Sequence, residues 1–87
     1  MPVYNVLLFA GLKEVIGLPS LEIELPAGAT VDALRARVGQ LYPAVDPLLP
    51  TTVCAVNEEY VDPDHRLSEG DTVALIPPVS GGAFGHL

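Results

Sequence analysis

The stretch Thr72-Val73-Ala74-Leu75-Ile76-Pro77-Pro78-Val79-Ser80-Gly81-Gly82 organises the rest of the chain. Its first five residues are apolar or β-branched, which is typical of a strand covered on both faces. The two prolines that follow fix φ and favour extended backbone, so they stiffen the exit from the strand. The two glycines then form a tip without side chains. The pattern predicts a stiff stalk with a bare tip, a shape that suits a narrow cleft on another protein.

We therefore divide the chain into a folded domain over residues 1–76 and a flexible C-terminal tail over residues 77–87. The tail carries the Gly81-Gly82 motif and a five-residue extension, residues 83–87. The alternative is that a terminus rich in proline and glycine is simply a frayed end. The composition and pattern of the domain decide between the two.

Composition limits the class of protein. A chain of 87 residues that is 49% hydrophobic is expected to fold as one domain. Its single cysteine excludes a disulfide framework and a cysteine-ligated metal cluster within the chain. The net charge of −7 argues against nucleic acid as a partner and favours partners with basic surfaces. With neither a long apolar run nor a charged and apolar leader, we expect a cytoplasmic protein without membrane association.

The hydrophobic pattern predicts four or five strands. In the first, residues 3–9, Asn5 is the only polar residue, so the strand is expected to be central. Residues 20–25 alternate apolar with polar, which predicts a half-exposed edge strand paired with the first. Residues 52–57 predict a third apolar strand, and residues 58–61 a turn with a short return strand. The opening stretch supplies the last strand.

One main helix is predicted over residues 31–42, with Thr30 as its N-cap. The apolar positions recur at helical spacing on one face: Val31, Leu34, Val38 and Leu41. Arg35 is assigned to the outward face of this helix. Residues 10–17 predict one or two further helical turns, and residues 44–50 predict an ordered loop.

A single main helix can cover only one face of a sheet, so the fold class is two-layer α+β. The first and last strands are expected side by side in the middle of the sheet. Because both are apolar on both faces, the face without a helix is expected to be an exposed patch that binds another molecule. Val6, Leu8 and either Leu75 or Ile76 are the candidate residues of this patch, although the pattern does not fix which side chains point outward.

The chain has little catalytic equipment of its own. His65 and His86 are too few and too isolated for a metal site, and both are expected on the surface. Cys54 lies within an apolar strand and is expected to be a buried, unreactive thiol. Glu58 and Glu59 are adjacent and therefore point apart, which argues against an acid and base pair. The glycines form no phosphate-binding loop.

Three stretches, residues 9–17, 56–64 and 70–82, resemble the MoaD/ThiS sulfur-carrier family, as does the entry to the main helix at residues 26–31. The resemblance covers residues 3–82. The Pro-Pro-Val-Ser-Gly-Gly ending is most like the MoaD branch, the small subunits of molybdopterin synthase. The resemblance implies a ubiquitin-like β-grasp fold, in which a mixed sheet of four to five strands packs on one main helix.

The resemblance also implies a function in molybdenum cofactor biosynthesis. In that family an E1-like adenylating enzyme uses ATP to activate the carboxylate of the second glycine, and a sulfur donor converts it to a thiocarboxylate. The large molybdopterin synthase subunit then receives the tail, and the sulfur passes to a pterin precursor. Carried over to this chain, the reacting residue is Gly82, with Gly81 beside it, and no cofactor or metal is bound. The residues implied to bind partners are Pro78, Val79, Ser80, Val6, Leu8, Leu75 and Ile76.

This chain departs from the family pattern because Gly82 is joined to Ala83 by an amide bond. An amide cannot be adenylated, so we predict that a processing protease removes residues 83–87 before the tail is used. Two alternatives stay open. The chain could be a ubiquitin-like protein modifier or a sulfur carrier for tRNA thiolation, both of which use the same activation chemistry. It could also be a β-grasp binding module without any chemistry at its tail.

Overall fold

A computed structural model of the chain describes residues 1–77. The calls on Pro78, Val79, Ser80, Gly81 and Gly82, and on the extension after them, lie outside the described residues. The elements follow in this order: β1 Val3–Leu8, α1 Ala10–Ile16, β2 Ser20–Glu24, α2 Val31–Leu41, a 3-10 segment Pro43–Thr51, β3 Val53–Val56, β4 Glu59–Tyr60 and β5 Thr72–Ile76.

The strands form one mixed sheet in the order β2-β1-β5-β3-β4. The central pair, β1 and β5, is parallel, and the other three pairs are antiparallel. The predictions of a central first and last strand and of an edge strand at β2 are therefore confirmed. The mixed sheet with its helix layer also confirms the α+β class.

The core lies between the sheet and the helix layer. Alternate strand residues face the helices and are buried: Tyr4, Val6, Leu8, Leu21, Ile23, Cys54, Val56, Val73 and Leu75. They pack against Val31, Leu34 and Val38 of α2. The fourth residue of the predicted stripe, Leu41, is 46% exposed because α2 ends there. The part of α2 that packs into the core therefore runs from Val31 to Val38.

Local sequence signals account for the ends of the helices. The Thr30 side chain accepts a hydrogen bond from the Ala33 amide at 3.1 Å, so Thr30 is the N-cap of α2 as predicted. Pro43 follows the helix and prevents an easy continuation. Gly17 ends α1 with φ of 85°, and its amide donates to the Lys13 carbonyl.

Gly39 sits where α2 and the 3-10 segment approach most closely. A Cβ atom at this position would lie 2.7 Å from an Asp46 carboxylate oxygen and 3.0 Å from Leu49. In the sequence this glycine signals only a weak point in the helix. The structure shows that its missing side chain lets the two segments pack together.

Two expectations for this region are wrong. Residues 44–50 do not form a loop, because they belong to the 3-10 segment Pro43–Thr51. Arg35 does not face solvent, because its guanidinium donates hydrogen bonds to the carbonyls of Leu49 and Thr52, both at 3.2 Å. It also pairs with the Asp32 carboxylate at 2.9 Å. Arg35 therefore ties α2 to the junction between the 3-10 segment and β3.

Among residues 1–77, no helix combines the length and the apolar character that a bilayer crossing requires.

Candidate docking face at the end of the last strand

The face of the sheet away from the helices carries a row of small and aromatic side chains. In the register of the sheet, Leu7 of β1 pairs with Ala74 of β5, Ala74 pairs with Ala55 of β3, and Ala55 pairs with Tyr60 of β4. Residues paired in register point to the same face. The row is flat over its alanines and ends at Tyr60, which is 73% exposed.

A second apolar row lies beside the first. Ile76 pairs with Val53, which is 47% exposed, and Phe9, just beyond the end of β1, is 43% exposed. The two rows surround a shallow depression of about 580 Å³ on this face. Its lining residues are Leu7, Phe9, Ala55, Asn57, Glu58, Tyr60, Thr72, Ala74 and Ile76. We call the apolar surface formed by Leu7, Phe9, Val53, Ala55, Tyr60, Ala74 and Ile76 the open face.

The polarity of this side of the sheet changes along the strands. One step back from Leu7, Asn5 pairs with Thr72 and with Glu22, and Val3 pairs with Glu24. Both glutamates are exposed. The apolar surface is therefore confined to the end of β5 from which the chain continues into the Gly81-Gly82 segment.

The structure corrects three of the four body residues expected on the exposed patch. Val6, Leu8 and Leu75 face the helices and are at most 2% exposed, so they belong to the core. Only Ile76 lies on the open face, where it lines the depression. The error is one of strand parity, since a shift of one residue exchanges the two faces of a strand.

Sequence reasoning missed Leu7, Phe9, Tyr60 and Ala74. A usable signal was present in Asn5, the only polar residue of the first strand. A polar side chain in such a strand marks the less buried face, and the residues two and four positions further on share that face. Asn5 is indeed exposed, and Leu7 and Phe9 follow at those two positions.

A hydrogen-bonded hairpin carries Tyr60 onto the open face. Asn57 and Glu58 form the turn between β3 and β4, both with positive φ, 50° and 73°. The Asn57 side-chain amide donates to the Asp71 carboxylate at 2.9 Å, and its oxygen accepts from the Thr72 amide at 3.0 Å. The Asn57 backbone amide donates to the Thr72 carbonyl at 2.9 Å. The hairpin is thus fixed to the start of β5.

Two potentially reactive side chains of the domain, Cys54 and His65, do not line this depression. Cys54 is 4% exposed and points into the core, as predicted. Burial raises the pKa of its thiol, although the nearby Arg35 guanidinium lowers that pKa in part. The thiol therefore stays protonated at neutral pH. His65 is exposed, also as predicted, and within the described residues no group of three or more metal-ligating side chains is found.

The residues that the resemblance assigned to the chemistry, Gly81 and Gly82, are not described, and neither are Pro78, Val79 and Ser80. Their roles remain predictions. Pro77 is the last described residue, and it is buried. The structure establishes the position of the open face, which extends to Ile76, one residue before Pro77.

A five-stranded mixed sheet with one main helix, and an apolar face at the exit of its last strand, defines a small ubiquitin-like protein. The sequence profile of the ThiS family matches residues 6–82, and the chain belongs to the ThiS family. This agrees with the resemblance read from the sequence.

Two curated relatives are named as molybdopterin synthase sulfur carrier subunits. The molybdopterin synthase sulfur carrier subunit of Chlamydomonas reinhardtii is 44% identical over 80 residues, which cover 90% of this chain and 96% of that protein. The molybdopterin synthase sulfur carrier subunit of Dictyostelium discoideum is 42% identical over 82 residues, covering 91% of this chain and 95% of that protein.

Solved structures confirm the ubiquitin-like fold. A putative molybdopterin converting factor subunit 1 from Pyrococcus furiosus matches with a TM-score of 0.82 and 30% identity, covering 91% of this chain and all of that one. SAMP1 from Haloferax volcanii matches with a TM-score of 0.81 and 27% identity, covering 92% and 99%. A complex of subunits 1 and 2 of the molybdopterin-converting factor from Helicobacter pylori matches with a TM-score of 0.65 and 27% identity, covering 92% and 99%.

Proposed function

We propose that this chain is the sulfur-carrier subunit of a molybdopterin synthase. It delivers sulfur, as a thiocarboxylate at Gly82, to a pterin precursor in molybdenum cofactor biosynthesis. The observation that carries the proposal is the open face, which ends where the chain leaves β5 toward the Gly81-Gly82 segment. A carrier needs such an arrangement, because docking of its body must direct the tail to the partner's reaction centre. The two relatives named as sulfur carrier subunits support the same reading.

The proposed chemistry takes place on the tail and on partner enzymes. An E1-like enzyme joins the Gly82 carboxylate to the α-phosphate of ATP and releases pyrophosphate. A hydrosulfide ion supplied by a donor protein then attacks the carbonyl carbon, and one carboxylate oxygen leaves with AMP as the proton of the new S–H group is lost to solvent. The product is a thiocarboxylate, whose sulfur is a good nucleophile at neutral pH. The domain itself contributes binding and orientation.

The large synthase subunit is the proposed partner at the open face. The Helicobacter pylori relative is seen in complex with subunit 2 of its factor. In our proposal an equivalent subunit covers the open face of this chain. From Ile76 to Gly82 there are six residues, so an extended chain reaches roughly 20 Å beyond the sheet. That length suffices to carry the Gly82 carbon into a recessed active site.

Removal of residues 83–87 is part of the proposal, since the Gly82 carbonyl is otherwise held in an amide. We expect the protein purified from cells that make molybdenum cofactor to end at Gly82, which intact mass measurement reports directly. A fraction of the molecules should be heavier by the replacement of one oxygen by sulfur. Protein that still ends at Leu87 in such cells would contradict the processing step.

The decisive functional test is complementation of cells that lack their own carrier. A chain ending at Gly82 should restore molybdenum cofactor synthesis, and the same chain with Gly82→Ala should restore much less, because a methyl group narrows access to the reacting carbon. Ser68→Ala, an exposed change in the loop before β5 and outside the open face, serves as the control. Equal complementation by the Gly82→Ala variant would favour a binding module without tail chemistry.

The similarity to SAMP1 from Haloferax volcanii supports a second candidate, because a protein of similar structure from that organism is named small archaeal modifier protein 1. A protein modifier uses the same activated Gly82 but ends as an isopeptide on a lysine of a target. A carrier for tRNA thiolation would use the same thiocarboxylate. Deletion of the gene separates these candidates. Loss of molybdenum cofactor with intact tRNA thiolation supports the synthase subunit, provided that the undeleted cells contain no adducts of this chain on lysines.

A further inference from the structure

Glu58 occupies a backbone conformation that a glutamate adopts at a cost. Its φ of 73° places it in the left-handed region, as the second residue of a two-residue hairpin turn after Asn57. Such turns favour Asn-Gly, because glycine adopts positive φ without steric strain and a residue with a Cβ atom does not. Glycine at position 58 would therefore make the fold more stable than glutamate does.

Nothing in the described domain holds the Glu58 carboxylate. Glu58 is exposed, and among residues 1–77 it takes part in no hydrogen bond or ion pair. Two other acids differ in this respect, because Asp71 accepts hydrogen bonds from Asn57 and from the Ser68 amide at 2.7 Å, and Asp32 pairs with Arg35. The four basic residues of the chain all lie off the sheet: Lys13, Arg35, Arg37 and Arg66.

The position of Glu58 is nevertheless defined. Asn57, immediately before it, is tied to Thr72 and Asp71 by three hydrogen bonds, so the turn cannot swing away from β5. From this turn Glu58 lines the same depression as Tyr60 and Ile76. It is the only ionisable carboxylate among the lining residues. An unpaired charge at the margin of an apolar surface is the arrangement found in protein interfaces, whose rims are polar.

We propose that Glu58 is a specificity-determining residue of the open face, and that its carboxylate pairs with a lysine or arginine at the edge of the large synthase subunit. This inference rests on the proposed function. The net charge of −7 favours a basic partner surface, and Glu58 fixes where one basic side chain of that surface must lie. The strained turn places the carboxylate where it acts in the complex, although it has no bonding partner in the free domain.

Glu59 provides a matched control one residue away. It pairs in register with Val56, whose side chain faces the core, whereas Tyr60 pairs with Ala55 of the open face. Glu59 is exposed like Glu58 but does not line the depression. A substitution at either position changes the net charge equally, so any difference between them reports the location of the charge.

The experiment measures binding of the large synthase subunit from the same organism to the full chain and to the chain ending at Gly82. Glu58→Lys should weaken binding about tenfold or more, mainly through slower association, and Glu59→Lys should change it by less than about threefold. The difference should shrink in about 0.5 M salt, where the Debye length is only about 4 Å. Equal losses for the two reversals, or no loss for Glu58→Lys, would overturn the role of Glu58 and leave the proposed function standing.

A second variant separates binding from stability. Glu58→Gly removes both the strain and the carboxylate, so the melting temperature should rise by about 2–6 °C while affinity for the large subunit falls. A merely structural role for Glu58 would not lower the affinity of a more stable protein. Unchanged affinity in Glu58→Gly overturns the inference. Absence of binding by the unsubstituted chain in both lengths would instead overturn the proposed function.

Discussion

At the scale of single residues, one buried polar group in the described core lacks a hydrogen-bond partner. Tyr4 is fully buried, and its hydroxyl finds no hydrogen-bond partner among residues 1–77. Burying an unpaired hydroxyl costs about 1–3 kcal/mol. The ring itself fills space between the sheet and the helices, so only the oxygen is unfavourable.

We therefore expect Tyr4→Phe to stabilise the domain by about 1 kcal/mol, which corresponds to a rise of about 4–8 °C in melting temperature for a domain of this size. Thermal unfolding followed by circular dichroism measures the change. Tyr60→Phe is the control, because the Tyr60 side chain is exposed and its hydroxyl is already hydrated. A lower melting temperature for Tyr4→Phe would show that the hydroxyl is hydrogen bonded inside the protein.

Arg35 is the opposite case, a charged side chain that contributes to the fold. Its replacement by methionine keeps the length of the side chain but removes the guanidinium hydrogen bonds to the Leu49 and Thr52 carbonyls, although the Leu49 carbonyl still accepts from the Thr52 amide at 3.0 Å. We expect Arg35→Met to destabilise the domain by about 1–3 kcal/mol in urea unfolding. Arg37→Met, which removes only an exposed bond to Gln40, should stay within about 0.5 kcal/mol of the parent. Equal effects would mean that the two carbonyl contacts add nothing to stability.

Arg35 and Gly39 also mark the limit of prediction from local pattern. The apolar stripe of α2 correctly assigned Val31, Leu34 and Val38 to the core face, since helical spacing fixes the angles of side chains around one axis. It could not reveal that the 3-10 segment packs beside the stripe and receives the Arg35 guanidinium. The Arg35 hydrogen bonds join residues that are 14 and 17 positions apart in the sequence. The spacing of apolar residues within α2 therefore cannot predict them.

At the scale of secondary-structure elements, the short strand β4 has the largest consequence for binding. It is only two residues long, yet it places Tyr60 at the end of the row formed by Leu7, Ala74 and Ala55. An exposed tyrosine beside a flat apolar surface supplies a large rigid contact area, and such residues often dominate the binding energy of an interface.

We expect Tyr60→Ala to weaken binding of the large synthase subunit about tenfold to a hundredfold, without lowering the melting temperature. Titration calorimetry gives the affinity, and thermal unfolding checks the fold. Val15→Ala is the control, because Val15 is a half-exposed apolar residue of α1 that does not line the depression. If both variants bind as well as the parent, the partner does not dock on the open face.

The strands also show why the order of elements was predictable while the binding residues were not. The number and sequence of strands follow from apolar runs and turn residues, and the central position of the first and last strands follows from their apolar residues on both faces. Which residues are exposed depends on parity, and a strand without clean alternation leaves parity ambiguous. The prediction therefore assigned Val6 and Leu8 to the exposed face in place of Leu7. The position of the polar Asn5 could have prevented this error.

At the scale of the whole molecule, charge is distributed unevenly over the two layers. The sheet carries Glu22 and Glu24 beside the open face, and the hairpin turn adds Glu58. The basic residues lie in the helices and in the loop before β5. The side that presents the open face is therefore negative, and its field extends to about 10 Å at 0.1 M salt.

This field should set the rate at which the chain finds its partner. We expect the association rate constant with the large subunit to fall about tenfold or more between about 0.01 M and 0.5 M salt, while the dissociation rate changes much less.

The double change Glu22→Gln and Glu24→Gln should lower the association rate at low salt. Asp46→Asn with Glu69→Gln removes the same charge from the 3-10 segment and from the loop before β5, and should have a smaller effect. Stopped-flow mixing of the two proteins resolves both rates. If the two pairs slow association equally, total charge governs the encounter; if salt has no effect, the docking depends on apolar contact alone.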